Sequence, residues 1–511
     1  MKEIIFYGDD AFFYDFPEET DFYYANDPIK PLENDYKAIR EAIESPIDSK
    51  ILEKLLDEDS RVVIAFDDVS LPLPAMMDDV RGKAAEVVIE KISTIGVKKK
   101  NIQFICAGGL HRKVKPKEFS HILGKKVYKE YKHQILNHDA DDTENLIVLG
   151  TTEEGFDVEI NKTAAEADLI IYLSIAWTQL NGGWKSIVVG LGTYKSIIPH
   201  HSPEILKESP FMEPETSGLH RIIWNQGRVI KDKIKVFQIE LVLNNSFFSG
   251  IYAKLYRPLK GNIQKIPLWR RMTLSFLRKM PQSIKSKVRK GLKAGYKLIG
   301  VYAGDIEKAH EQSLKLINMQ MNVPIHKQYD VVILGMPNVT PYNVGAAMNP
   351  LLLRTLLYGY LYNMHRGQSP LKKDGHIIIS NPAYRKFDMK QHPSYYDFYH
   401  DVVAKKPDIF KLKDIETAYL ENKEYSHKYR NKFAYHGTHA LMVYYWGTLG
   451  HVNVGKVIVS APKNKDTVEN LGYEFAKNLD EAIMVCRREI GDKCSIAYLC
   501  MPPIFISEIR K

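Results

Sequence analysis

Cysteine is scarce: Cys106, Cys486, Cys494 and Cys500 are the only four in 511 residues. None forms a C-x-x-C pair or a zinc-ligand spacing, so neither a disulfide framework nor a cysteine zinc site is expected. Long apolar runs are missing too. None reaches ~18 residues, which excludes a membrane-spanning helix. The opening Met1–Asp10 is acidic and strand-like where a secretory signal would be apolar, and a cytoplasmic location is expected. A phosphate-cradling G-x-x-x-x-G-K-[ST] loop is absent as well, because Trp184 stands directly before Lys185. The last absence is local. Between Glu240 and Asp305 there is no Asp or Glu, yet that stretch holds fourteen Lys and Arg residues, more than the whole formal net charge of +9.

What is present is a globular composition, 45% hydrophobic and 26% charged, in a chain long enough for two domains. Apolar runs at 61–66, 101–106, 168–174 and 236–243, separated by helical patterns, predict an α/β sheet. A second series begins with the helix 306–319 and includes strands at 329–335, 375–380 and 456–460. The predicted fold is therefore two α/β domains, each a mostly parallel sheet flanked by helices, with a cleft between them. Residues 1–298 form the first and 299–511 the second. Within the first, 250–298 is a basic amphipathic insertion. Its interleaved apolar and basic residues suit an anionic membrane surface, which would make the protein peripheral to a membrane. The same composition also suits a surface insertion packed on its own domain. No nucleic-acid partner is expected, since no reading motif accompanies the charge.

Leu180–His201 has the composition of a cofactor site. Gly182 and Gly183 let the backbone approach a ligand and would place Lys185 beside it, and the string ends in His200 and His201, imidazoles of the kind that commonly bind metals. An ordinary Gly-Gly turn followed by a loop histidine pair would look the same. Upstream, Asp68 and Ser70 lie at the carboxyl end of one strand, and His111 and Arg112 at the end of the next. Open α/β sheets place ligands there, although Ser70 before Pro72 also reads as a helix cap. His138, in an acidic turn, is a ligand or a turn residue, and the turn is favoured. His436 and His439, around Gly437 at a helix start, read either as catalytic imidazoles or as capping and packing residues.

Taken together, 42–47, Asp68-Val69-Ser70, Gly109-Leu110-His111-Arg112, 137–142, Gly182-Gly183-Trp184-Lys185 and His201 resemble the nickel-dependent lactate racemase family in order and rough spacing. Gly304-Asp305 and Ala309-His310 extend the resemblance. It implies a nickel-pincer nucleotide, pyridinium-3-thioamide-5-thiocarboxylic acid mononucleotide with Ni, held through a thioamide on Lys185. His201 would complete the square-planar nickel, and Asp68, Ser70, Gly182, Gly183 and Arg112 would surround the cofactor. It also implies that His111 takes the proton of a substrate hydroxyl while the α-hydride moves to the cofactor ring. A hydride acceptor is needed because an α-proton beside a carboxylate is too weakly acidic for a side-chain base.

Three positions depart from the family pattern. Ile175 stands where the second catalytic histidine falls, Leu71 where a carboxylate-binding arginine falls, and Asn338–Asn343 replace a substrate-contacting segment. Two expectations follow. One is a racemase or epimerase-like isomerase acting on a different 2-hydroxy acid, a small molecule, with second-domain polar groups replacing the missing ones and His436 or His439 as second base. The other is a non-catalytic paralogue that binds the nickel cofactor or acts at a membrane surface.

Overall fold

The computed structural model describes residues 1–261 and 266–509. Its architecture is α/β, dominated by two six-stranded sheets flanked by helices. In the first sheet the order is Leu298–Gly304, Val236–Leu243, Leu169–Ala176, Val62–Asp67, Ile102–Ala107 and Ile135–Asn137, parallel throughout except for its first pair. Val62–Asp67 and Leu169–Ala176 are buried at every position, as expected for strands covered on both faces. The second sheet runs Glu474–Ala476, Lys456–Ser460, Leu371–Ser380, Tyr329–Gly335, Ile496–Cys500 and Thr20–Tyr24, all parallel.

Two strands cross the division expected at residue 298. Thr20–Tyr24 pairs with Ile496–Cys500 and completes the second sheet, and Leu298–Gly304 closes the edge of the first. The reason is edge pairing. A strand's neighbour is selected by a row of backbone hydrogen bonds and a shared apolar face, and neither leaves a trace in the order of the chain. The parallel helix-flanked design is as expected.

Local signals placed most elements near their observed bounds. The helix Val80–Ile95 begins at Asp79, whose side chain accepts from the Arg81 backbone N–H, and ends at Gly96 in the left-handed region. Ser70 is therefore not the cap of that helix. The run expected as one helix over 350–362 is instead Pro350–Arg354 continued as a π-helix, Thr355–Leu361, which swings Leu356, Tyr360 and Leu361 onto the cleft.

The basic insertion forms three helices, Gly250–Leu255, Leu268–Lys279 and Gln282–Gly291, and its residues 262–265 lie outside the described residues. Its inner side packs on the N-terminal hairpin of Lys2–Tyr7 and Asp10–Asp15. Leu255 and Leu274 join Ile4, Phe6 and Ala11, Lys285 bonds Asp10 at 2.7 Å, and Arg289 reaches Asp9 at 2.8 Å. Packing on its own domain is thus part of its role. No helix among the described residues is long and apolar enough to cross a membrane.

Candidate active site

The cleft between the sheets holds a cavity of about 160 Å³, continued by a smaller one of about 40 Å³; Gly108, His111, Val189 and Tyr342 border both. The first half of the chain contributes the carboxyl ends of its strands, the position that open parallel sheets give to ligands. Val62–Asp67 delivers Asp67 and, one residue on, Asp68. Arg81 fixes this strand end by donating from Nη1 to the carbonyls of Asp67 (2.6 Å) and Asp68 (2.9 Å), while its own charge is met by Asp79 at 2.7 Å.

Asp68 and His111 form a dyad. Burial alone would raise the Asp68 carboxyl, but the His111 ring and the Ser70 hydroxyl and N–H hold it below the usual carboxylate range. It is therefore an acceptor, and His111 Nδ1 donates to it at 2.9 Å. With Nδ1 committed to that bond, Nε2 has no hydrogen bond among the described residues and is the nitrogen turned to the cleft's chemistry. Ser70 donates to the same carboxylate from Oγ at 2.5 Å and from its N–H at 3.0 Å. Asp68 thus positions His111 and is not free to bind a ligand on that side.

Lys185 emerges from the turn Asn181–Gly183, where no ordinary residue fits. Gly182 and Gly183 both have positive φ (95° and 55°), and a Cβ on Gly182 would stand 2.5 Å from Glu240 Oε1. Glu240, buried mid-strand, accepts from the Gly183 N–H at 2.7 Å and pairs with His310 Nδ1 at 3.0 Å. Burial would raise the Glu240 carboxyl and lower the His310 ring, but their pairing reverses both, so an ion pair buttresses the glycine turn from behind. Among the described residues Lys185 Nζ has no hydrogen bond or ion pair. Burial pulls its pKa down to about 8, opposed only by the Asp67 charge. Asp67 itself is pushed up to about 6 by burial while accepting from Tyr172 Oη and the Ile175 N–H.

His201 ends the helix Tyr194–His201 and stacks on Trp446, centroids 4.8 Å apart, and the same indole lies 5.7 Å from Lys185 Nζ. Burial, with Lys185 nearby, lowers the His201 pKa to about 3 and keeps the ring neutral. Its Nδ1 faces His200 Nδ1 at 2.8 Å, and its Nε2 has no hydrogen bond among the described residues. From the second half His439 comes within 5.2 Å of His111, ring to ring, with Tyr342 at 4.9 Å. The buried Tyr395 hydroxyl lies 2.6 Å from His439 Nδ1. The arrangement that leaves no buried O–H unpaired has tyrosine donating, so His439 carries its hydrogen on Nε2.

Other expected site residues are placed elsewhere. Arg112 is spent on a two-pronged bond to Glu118 (2.9 and 2.7 Å) and borders neither cavity. His436 uses Nε2 on Asp141 (2.9 Å) and Nδ1 on Thr438 (2.8 Å), joining the two halves without reaching the cleft. His138 is buried just before the acidic turn, bonds the Gly192 carbonyl at 2.9 Å and borders neither cavity. Ile175 is wholly buried in the sheet core, and Leu71 contributes an apolar wall. The loop expected to supply polar replacements turns them inward. Thr340 donates to Asn343 and Asn343 to the Asn338 carbonyl, so Pro337, Val339, Pro341 and Tyr342 face the cavity instead.

Sequence reasoning missed Trp446, Tyr395 and Glu240. Glu240 carried a readable signal, an acid inside the otherwise apolar run Val236–Leu243, whereas the aromatic residues had none, since they reach the cleft only through tertiary packing.

The donor set can be compared with what a lysine-tethered nickel nucleotide requires. A tether needs an amine free of partners and easily deprotonated, and a nickel ligand needs a neutral imidazole with a free nitrogen. Lys185 and His201 meet these needs. Among the described residues no three His, Cys, Asp or Glu side chains gather to hold a metal alone, so any metal here would take further ligands from a bound group. Ser70 and Thr178 line the cavity, but their hydroxyls donate to Asp68 (2.5 Å) and to Asn181 Oδ1 (2.8 Å), and Lys185 is the one lysine or arginine in the lining among the described residues.

The family model described as the lactate racemase N-terminal domain matches residues 7–212. A lactate racemase of Thermoanaerobacterium thermosaccharolyticum is 28% identical over 196 residues, 36% of this chain and 42% of that protein. One of Lactiplantibacillus plantarum is 26% identical over 177 residues, 34% and 40% respectively. The chain thus matches less than half the length of these relatives. The solved structure of the lactate racemase apoprotein from T. thermosaccharolyticum has the same fold over the whole of both chains, with a TM-score of 0.64 at 20% identity. Residues 7–212 are thus similar to the lactate racemase N-terminal domain, and the chain as a whole shares the fold of the lactate racemase apoprotein.

Proposed function

We propose that this chain is a racemase or epimerase-like isomerase that acts on a 2-hydroxy acid through a lysine-tethered nickel-pincer nucleotide. The observation that carries the reading is a single convergence: Lys185, with no hydrogen bond or ion pair among the described residues, and a neutral His201 border one indole, beside the Asp68–His111 dyad, along two adjoining cavities of one cleft. Lys185 would hold the nucleotide and His201 its nickel. When bound, the group supplies a hydride acceptor next to a metal that polarises the substrate oxygen.

His111 Nε2, its lone pair aimed by the Asp68 bond at Nδ1, receives the hydroxyl proton, and Asp68 stabilises the imidazolium that results. His439 presents an N–H at Nε2 and serves as hydrogen-bond donor to a substrate oxygen, the task an arginine would perform at Leu71. Leu71, Val339, Pro341 and Tyr342 keep water from the reacting carbon. With apolar groups where polar ones were expected, the substrate's substituent is apolar.

The test is co-expression with the cofactor-synthesis enzymes of a lactate racemase host, followed by intact mass, nickel content and chiral chromatography over a series of 2-hydroxy acids. Wild type should carry an adduct that Lys185→Ala lacks, and His201→Ala should keep the adduct but lose nickel. On the substrate found, His111→Ala should lower turnover of both stereoisomers by about 10²-fold or more, whereas His439→Ala should raise KM more than it lowers kcat. Wild type bearing neither adduct nor nickel would overturn the proposal.

A further inference from the structure

The helix Leu268–Lys279 is apolar on two sides. Inward, Leu274 joins the hairpin core and Arg270 donates to the Leu255 carbonyl at 2.7 Å, so its attachment to the fold is complete. Outward, Leu268, Trp269, Met272 and Phe276 are 72%, 42%, 62% and 63% exposed. At 100° per residue these four fall within about 100° of arc, a single exposed face. Scattered exposed apolar residues are ordinary, but a contiguous row on one helix marks a contact surface.

The insertion that carries that row has charge of one sign, with no Asp or Glu between Glu240 and Asp305. Lys254, Arg257, Arg271, Lys279, Lys287 and Lys290 are exposed and have no ion-pair partner among the described residues, while the insertion's Lys285 and Arg289 are already neutralised by Asp10 and Asp9. We infer that the insertion is a docking element for an anionic lipid bilayer, with Leu268, Trp269, Met272 and Phe276 entering the headgroup region and the unpaired cations meeting acidic headgroups. A nucleic acid would use the cations but leave the apolar row in water. A bilayer satisfies both, and tryptophan favours that interface. The inference is independent of the catalytic reading, because none of these residues borders the cleft.

The experiment uses the full-length chain, sedimented with vesicles of phosphatidylcholine and phosphatidylserine (roughly three to one) or of phosphatidylcholine alone, at about 50 and about 500 mM salt. Wild type should bind the acidic vesicles at low salt and release them at high salt. Arg271→Glu with Lys279→Glu should lower the partition coefficient at least about twentyfold, each lost cation accounting for about fivefold. Trp269→Ala with Phe276→Ala should lower it at least about tenfold. All four side chains are exposed, so unchanged melting temperatures will show that the fold is intact. Absence of wild-type binding, equal binding to neutral vesicles, or equal binding by either double variant would overturn the inference. So would a concentration-dependent dimer that the Trp269/Phe276 pair abolishes, which makes a second copy the occupant, or salt-sensitive DNA binding stronger than that to vesicles and indifferent to this pair.

Discussion

Lys185 is held where its charge is costly. Its pKa falls from 10.5 to about 8 because burial strips water from the ammonium, and the Asp67 charge restores only part of that loss. Between these two values the unfolded chain keeps the proton and the folded chain does not, so stability contributed by this residue rises with pH through that window. Below pH 8 both states are protonated and the burial cost stands in full. Lys185→Met should therefore be more stable than wild type near pH 7 by roughly 3 kcal/mol, with the gap closing toward pH 10.5. Urea unfolding of both proteins across that range measures it, and a gap independent of pH would show that the amine is not desolvated. Under the proposed function the same property would prepare Lys185 for acylation, since the neutral amine is the nucleophile.

At the scale of an element, the turn Asn181–Gly183 joins the strand Leu169–Ala176 to the helix Trp184–Val188 with no room for side chains. A Cβ on Gly183 would lie 2.8 Å from the His310 ring, and its φ of 55° is strained for any L residue. Gly183→Ala is expected to destabilise the protein by about 2 kcal/mol, combining backbone strain with displacement of the Glu240–His310 pair. Thermal unfolding reads the stability, and the His310 ring resonances report the pair. A Gly183→Ala protein with wild-type stability would show that the turn tolerates a side chain and that the pair does not buttress it. The helix ending in His201 is held separately, through Ser196, whose hydroxyl accepts from the Glu159 N–H at 2.7 Å.

For the molecule as a whole, the two sheets are not two segments of chain. Thr20–Tyr24 is an edge strand of the sheet that otherwise comes from residues beyond 328, and His436, Ser426 and Arg430 reach back to the acidic turn Asp139–Asp142. Deleting residues 1–24 should therefore damage the C-terminal half more than the strands nearest in sequence. It bares the edge of Ile496–Cys500 and uncovers the insertion's inner face. Limited proteolysis with mass spectrometry should find early cuts around 496–509, and a wild-type digestion pattern there would contradict this account.

Periodicity, turn residues and the chemistry of side chains are local, and they determined much: the α/β class, most buried strands, the position of Asp68 and His111 after strand ends, and that of Lys185 after a glycine turn. Glu240 was legible in principle as a lone acid in an apolar strand. Pairing and convergence are not local. Only the tertiary structure decided that Thr20–Tyr24 serves the far sheet, that Asp68 orients His111, and that Trp446 lies against both Lys185 and His201. The same holds for two histidines three residues apart. His436 and His439 look alike in sequence, yet His436 lies in the loop before the helix His439–Tyr445 and bonds Asp141, while His439, the first residue of that helix, faces His111, because each side chain is directed by the partners packed around it.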